Sequence, residues 1–463
     1  MANARTVRQL RDSGWRSRSV KHELRDNLVA LLRKGGTFLP GIVGYDDSVV
    51  PQIENAILSG QDIIFLGERG QAKTRIARSL VNLLDAEMPA MAGCEINDDP
   101  FAPICRACRT RVAEVGDEAE IAWIPRDRRY GEKLATPDIT IADLVGEVDP
   151  IKVAEGRYLG DELTIHYGLL PRTHRGIFGL NELPDLAERI QVGLLNIMEE
   201  RDVQIRGYKV RLPLDLYVVA SANPEDYTNR GRIITPLKDR FGAQIRTHYP
   251  KRLDDEIAIM EAERTEFPAD GVRVTSPQYM KQIVAELTHL ARKSSEISQR
   301  SGVSVRVTIC NYESLLASAL KRAIRLGERD AVPRVSDLGA LLATTSGKIE
   351  METLGDATED KVLAKLVQRA VLTVFGKAFS APELEPVVAA FKDGVAVQTA
   401  EFMPAADYGK QLSQIPPLRA IAAKLGATEP AAVAAAVEFV LEGLHLSKKL
   451  NKDVQPGQAR YRS

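Results

Sequence analysis

Long hydrophobic runs are missing from this chain. No stretch of about 18 apolar residues occurs, and the most apolar segment, residues 430–441, is interrupted by Glu438, so no membrane span is expected. Cysteine is scarce, at 4 in 463 residues, too few for a disulfide scaffold. An excess of one charge is also lacking. The 62 lysines and arginines against 63 aspartates and glutamates leave a net charge of −1, and nothing global calls for nucleic acid or an anionic membrane. The first 34 residues carry nine basic and three acidic side chains but no apolar core of a secretory signal, so a cytoplasmic location is expected. No internal repeat of fixed period is present. What remains is ordinary globular chemistry, 44% apolar and 27% charged, in a chain long enough for several domains of about 100–200 residues each.

Residues 1–38 are basic and helix-like, end at the stop signal Lys34-Gly35-Gly36, and read as a solvated arm. From 39 to 250, short apolar strand-like runs alternate with amphipathic helical stretches, the pattern of an α/β domain with a mostly parallel sheet. Strands are expected at 62–66, 176–180, 216–221 and 244–247, with a cysteine-containing insertion over about 86–130. Residues 251–350 read as a helical second domain. Residues 351–463 read as a further helical region, broken by prolines at 382, 386, 404, 416 and 417.

One segment carries chemistry directly. Ile63-Ile64-Phe65-Leu66 leads into Gly67-Glu68-Arg69-Gly70-Gln71-Ala72-Lys73-Thr74, an apolar strand, a glycine-containing turn, then Lys-Thr opening a helix. This is the layout of a phosphate-binding loop, in which backbone N–H groups attract an anion, the lysine reaches the β/γ-phosphates and the threonine hydroxyl binds Mg²⁺. The usual pattern has glycine where Ala72 stands. About a hundred residues on, Gly176-Ile177-Phe178-Gly179-Leu180 runs into Asn181-Glu182, a buried strand ending in a polar pair. In an ATPase the first member of such a pair holds Mg²⁺ and the second polarises the attacking water. Aspartate is usual at the first place, and the Asn181 amide oxygen can accept a hydrogen bond there without bringing charge. A third strand ends at Asn223, placed to hold that water.

These stations in this order resemble an AAA+ ATPase, and more narrowly the group containing the magnesium-chelatase ATPase subunit I and the MoxR-type ATPases. Gly41-Ile42-Val43-Gly44 resembles the entrance lining the adenine pocket. Leu144-Val145-Gly146-Glu147-Val148-Asp149, Gly156, Gly168-Leu169-Leu170 and His174-Arg175-Gly176 resemble the insert-bearing stretch of the chelatase motor, and residues 202–216 its hairpin before Ser221-Ala222-Asn223-Pro224-Glu225. The resemblance covers about residues 40–350. It implies an α/β fold, an AAA+ P-loop ATPase domain with a parallel sheet, then an α-helical lid and a further helical C-terminal region. It also implies ATP and Mg²⁺ as ligands. Val43, Gly44, Gly67, Gly70, Gln71, Ala72, Lys73 and Thr74 would hold the nucleotide, and Thr74 and Asn181 the Mg²⁺. Glu182 becomes the base, Asn223 the water-positioning residue, Arg240 in Pro236-Leu237-Lys238-Asp239-Arg240-Phe241 the arginine finger, and Arg306 in Gly302-Val303-Ser304-Val305-Arg306 the second sensor.

By the same resemblance the motor is a homo-oligomeric ring, expected as a hexamer, that remodels or loads metal into a partner protein carrying a von Willebrand A domain. Service as the motor of magnesium chelatase in tetrapyrrole synthesis is the neighbouring alternative. A DNA-acting, helicase-like motor using Lys209 and Arg211 is a different class, disfavoured by the charge balance, and a non-hydrolysing nucleotide-bound scaffold is a third. The cysteines stand outside the family pattern. Cys105-Arg106-Ala107-Cys108 places two thiols within reach of one Zn²⁺ and Cys94 could supply a third, with no fourth ligand nearby in sequence. Small buried residues, an iron–sulfur cluster or a redox pair are the other readings. Cys310 reads as core.

Overall fold

The computed structural model describes residues 4–155, 162–200, 202–204, 211–223, 231–266, 271–299, 302–352, 358–392 and 394–463. The chain forms two compact units, one ending at His248 and the other beginning at Tyr249.

The first unit is built on five parallel strands, β1 (Ile63–Leu66), β2 (Tyr130–Leu134), β3 (Gly176–Asn181), β4 (Leu216–Ala222) and β5 (Ala243–Arg246), in the order β5-β1-β4-β3-β2. Every residue of β3 and β4 is buried, as unbroken apolar runs covered on both faces require. Four of the five strands lie where the sequence places them to within a residue or two. The strand order reverses beside β1, and in such sheets ligands bind at the carboxyl ends of the strands flanking the reversal. Those ends stand level, with Leu66 opposite Ala222 and Leu134 opposite Asn181.

The N-terminal segment is not the solvated arm that its basic count suggests. Helix Val20–Arg33 spaces Val20, Leu24 and Leu28 four residues apart, and all three are buried in the core against β1 and β4 residues, a stripe that the surrounding charges conceal. Glu23 on the same helix makes a two-pronged ion pair with the buried Arg129, at 2.7 and 2.5 Å. Ahead of it, residues 5–7 add an edge to the insertion through Ile121 N–H to Arg5 O at 2.9 Å and Val7 N–H to Ala119 O at 3.0 Å. The insertion itself is an antiparallel pair, Glu87–Met91 with Ile121–Pro125, enclosing helix Arg106–Val115.

In the second unit one hydrophobic core runs from Ile257 to Tyr461. The helical domain and C-terminal region read as two from the sequence therefore share their interior. Helix Pro430–Leu446 is buried on every side from Ala434 to Leu444, Glu438 and Glu442 included, and Phe439 stacks on Tyr279 with ring centroids 4.5 Å apart. The C-terminal region is not wholly helical either. Val397–Ala400, Gln458–Arg462 and Asn451–Gln455 form a three-stranded antiparallel sheet. Short polar strands such as 451–455 carry no apolar alternation to announce them. Cys310 is only half-buried rather than core.

Candidate nucleotide site

The loop after β1 is closed by close packing. Gly67 N–H donates to Ala222 O at 3.1 Å, and a Cβ on Gly67 would lie 1.9 Å from Thr247 Oγ1 and 2.3 Å from Gln71 Oε1. Only glycine fits. Gln71 then locks the turn, its Oε1 accepting from Glu68 N–H at 3.1 Å and from the Thr247 hydroxyl at 2.7 Å. The Tyr45 hydroxyl lies 2.9 Å from the Gln71 carbonyl. Burial pushes the Tyr45 phenol up to about 12, so it stays a protonated donor at neutral pH. It directly follows the half-buried Val43 and Gly44. The Lys73 ammonium, almost wholly buried, donates to the carbonyls of Gly67 at 2.5 Å and Glu68 at 2.8 Å.

Ala72 is in the left-handed region, φ 58° and ψ 14°, immediately before helix Lys73–Ser79. This is the conformation for which glycine is the natural residue, and it accounts for the usual glycine at that place. Alanine holds it under strain. Ala72→Gly should raise the free energy of unfolding by about 1 kcal/mol, read as a higher denaturation midpoint. A midpoint that stays put or falls would mean that residue 72 is not held in this conformation.

The second part of the site meets the first across the sheet. Thr74 Oγ1 lies 3.4 Å from Asn181 Oδ1, which also accepts from the Ser221 hydroxyl at 3.2 Å. On its other side Asn181 Nδ2 donates to Glu132 Oε1 at 2.5 Å, and the Glu132 carboxylate takes Arg78 in a two-pronged pair at 2.6 and 2.9 Å. Sequence reasoning missed Glu132. Nothing in Tyr130-Gly131-Glu132-Lys133 marks it, since its partners are 49 and 54 residues away. It explains the amide at 181, because an aspartate there would set two carboxylates against each other. Glu182, next along, adopts φ 56° and donates its N–H to Ser221 Oγ at 3.3 Å. A non-glycine residue in this region stores about 1–3 kcal/mol and persists where the surroundings enforce it. Asn223 is buried at the end of β4.

The remaining expected residues stand on other elements. Arg240 ends the short helix Thr235–Arg240 and pairs with Glu199 at 2.6 Å. Arg306 is exposed in the first turn of helix Val305–Leu326, in the second unit. The hairpin before β4 appears as Asp202–Gln204 paired with Arg211–Pro213. Lys209, the side chain of Arg211, Gly156, Pro224 and Glu225 lie outside the described residues. In the insertion Cys94, Cys105 and Cys108 come together. Hydrogen bonding from Cys105 and Cys108 pulls the Cys94 thiol down.

No protein-family model matches the chain. Among curated proteins it is similar to the chloroplastic magnesium-chelatase subunit ChlI of Oryza sativa subsp. indica, 28% identical over 248 residues, which make up 50% of this chain and 53% of that protein. It is also similar to magnesium-chelatase subunit ChlI of Mesostigma viride, 25% identical over 288 residues, or 58% of this chain and 73% of that protein. The chain thus spans about half the length of the first of these relatives. Among solved structures, one from the complex between subunits BchI and BchD of magnesium chelatase aligns over 70% of this chain and 98% of its own, at 19% identity and a TM-score of 0.36. That superposition is too loose to add weight. In sequence the chain is similar to the ATPase subunit of magnesium chelatase, as its motifs suggest.

Proposed function

We propose that the chain binds and hydrolyses ATP at the carboxyl ends of β1, β3 and β4, as an AAA+ motor that remodels, or loads metal into, a partner protein. The observation that carries this reading is the Thr74–Asn181 contact at 3.4 Å, which joins a phosphate-loop hydroxyl to the end of a strand 107 residues away. The donor set suits Mg-ATP: a tight glycine turn, a lysine inside it, a hydroxyl and an amide oxygen side by side, and a carboxylate next in the chain. When bound, ATP supplies the γ-phosphoryl group for transfer to water, and Mg²⁺ offsets its charge. Lys73 would exchange its two loop carbonyls for the β/γ-phosphates, a swap toward the stronger charge-assisted bond. Thr74 and Asn181 would face the cation. Glu182 would take the proton of the attacking water, and Asn223 would orient that water.

The chelatase likeness supports a ring, a hexamer in the family pattern, with a von Willebrand A protein as partner. Service as the motor of magnesium chelatase is the neighbouring reading. The departures at Ala72 and at Asn181, which brings no charge of its own to a cation, are what favours a nucleotide-bound scaffold without turnover. Lys73→Ala should weaken ATP binding by about 100-fold or more, since a bond to a charged partner inside a buried loop is lost with nothing to replace it. Titration with a fluorescent ATP analogue measures this, and an unchanged affinity would remove the phosphate-loop assignment.

A further inference from the structure

We propose that the insertion holds one zinc ion between Cys94, Asp98, Cys105 and Cys108, in a closed structural site. The three sulfurs and one carboxylate oxygen of Asp98 all lie within 4.8 Å of one another. Tetrahedral coordination at a Zn–S distance of about 2.3 Å sets ligand atoms about 3.8 Å apart, so a single ion needs only a small contraction. An iron–sulfur cluster is a body of several atoms and spreads its ligands more widely. A disulfide would use two of the sulfurs and leave the rest of the cluster unexplained.

Asp98 supplies the second, independent observation. Its side chain is completely buried, and Oδ1 has no hydrogen-bond partner among the described residues, whereas Oδ2 accepts from Cys105 N–H at 3.0 Å. A buried carboxylate oxygen without a donor costs several kcal/mol unless a cation or proton meets it. The sequence hid this ligand because Asp98 stands in Asn97-Asp98-Asp99-Pro100, which reads as an ordinary turn.

The surroundings are those of a metal-binding knuckle. Cys94 Sγ accepts from the N–H groups of Ile96 and Asp98, both at 3.4 Å, and Cys105 Sγ from Cys108 N–H at 3.3 Å. Such N–H···S bonds orient sulfur ligands and spread their negative charge. One shell further out, the Glu162 carboxylate receives Arg106 N–H at 2.7 Å and the Tyr167 hydroxyl at 3.1 Å, which fixes the start of helix Arg106–Val115. A cavity of about 250 Å³ borders the cluster, with Arg111 and Lys152 in its wall; their charges oppose the excess negative charge of three thiolates and a carboxylate around Zn²⁺. Thiolate ligands select zinc over Mg²⁺ or Ca²⁺. With four protein ligands no position is left open for a substrate, so the ion fastens the 91–98 turn to the Cys105 turn. Each thiol that enters coordination gives its proton to solvent.

The test uses the full chain, purified without chelators, reduced and stripped of metal under anaerobic conditions, then titrated with Zn²⁺ alone. About one equivalent should bind, and Cys94, Cys105 and Cys108 should become resistant to alkylation while Cys310 reacts with or without metal. Cys105→Ser should hold less than about a tenth of an equivalent. Asp98→Asn keeps all four thiols and the local volume, and should weaken Zn²⁺ binding by about tenfold or more. Failure of the wild-type chain to take up Zn²⁺, equal alkylation of all four cysteines in its presence, iron with inorganic sulfide in the purified protein, or full affinity in Asp98→Asn would each overturn the proposal. None of these results bears on the ATP site.

Discussion

Arg240→Ala should leave ATP binding intact and lower turnover by about 10³-fold or more. Arginine fingers contribute on the order of 10³–10⁵ in related enzymes, because a planar, permanently charged guanidinium meets charge that spreads over the phosphate oxygens only as the bond breaks. Within its own protomer Arg240 pairs with Glu199 at 2.6 Å and more loosely with Asp239 at 3.8 Å, donates to the Pro236 carbonyl at 3.5 Å, and its ion-pair partners are exposed. Such surface pairs are worth about 0–1 kcal/mol, so the guanidinium is readily given up to a neighbour's phosphate. A finger reaching from one protomer to the next makes a head-to-tail interface, which closes into a ring or runs on as a filament. Mixing Arg240→Ala with Glu182→Gln should therefore restore part of the lost activity, since some interfaces then combine an intact Arg240 with an intact Glu182. Full turnover by Arg240→Ala, or a dead mixture in which mixed rings are shown to form, would contradict the arrangement.

The glycine turn at Gly67 and the strands behind it are readable because they are local. Ile63-Ile64-Phe65 and Gly176-Ile177-Phe178 are continuous apolar runs, the signature of strands buried on both faces, and the polar residues of interest sit at their ends. Partners supplied across the sheet were not readable. Glu132 matters because β2 pairs with β3 in a register that sets Leu134 opposite Asn181, and a register between strands so far apart in sequence leaves no local trace. Asp98 joins the cysteines through a turn, and spacing rules for zinc sites look for cysteine and histidine rather than aspartate. The N-terminal helices were misjudged for another reason. Nine basic residues in 34 outweighed a stripe of Val20, Leu24 and Leu28, and in the structure that stripe decides where the segment goes.

Glu182→Gln should bind ATP as tightly as the wild type and lower turnover by about 10²–10⁴-fold, the range ascribed to a positioned general base. The amide keeps the size of the side chain and does not change the backbone, whose φ of 56° is set by the β3 turn and the bond to Ser221. Lys73 and the closed turn around Gln71 are untouched, so the proposed phosphate cradle stays whole. What is lost is the carboxylate proposed to accept the proton.

Phosphate release from Mg-ATP, followed for the wild type and Glu182→Gln alongside the ATP retained by each, reads binding and chemistry in one measurement. The account predicts steady release by the wild type and, from Glu182→Gln, retained ATP with almost no release. A wild-type chain that binds ATP without releasing phosphate would make this a scaffold rather than a motor, and release unchanged in Glu182→Gln would place the chemistry elsewhere.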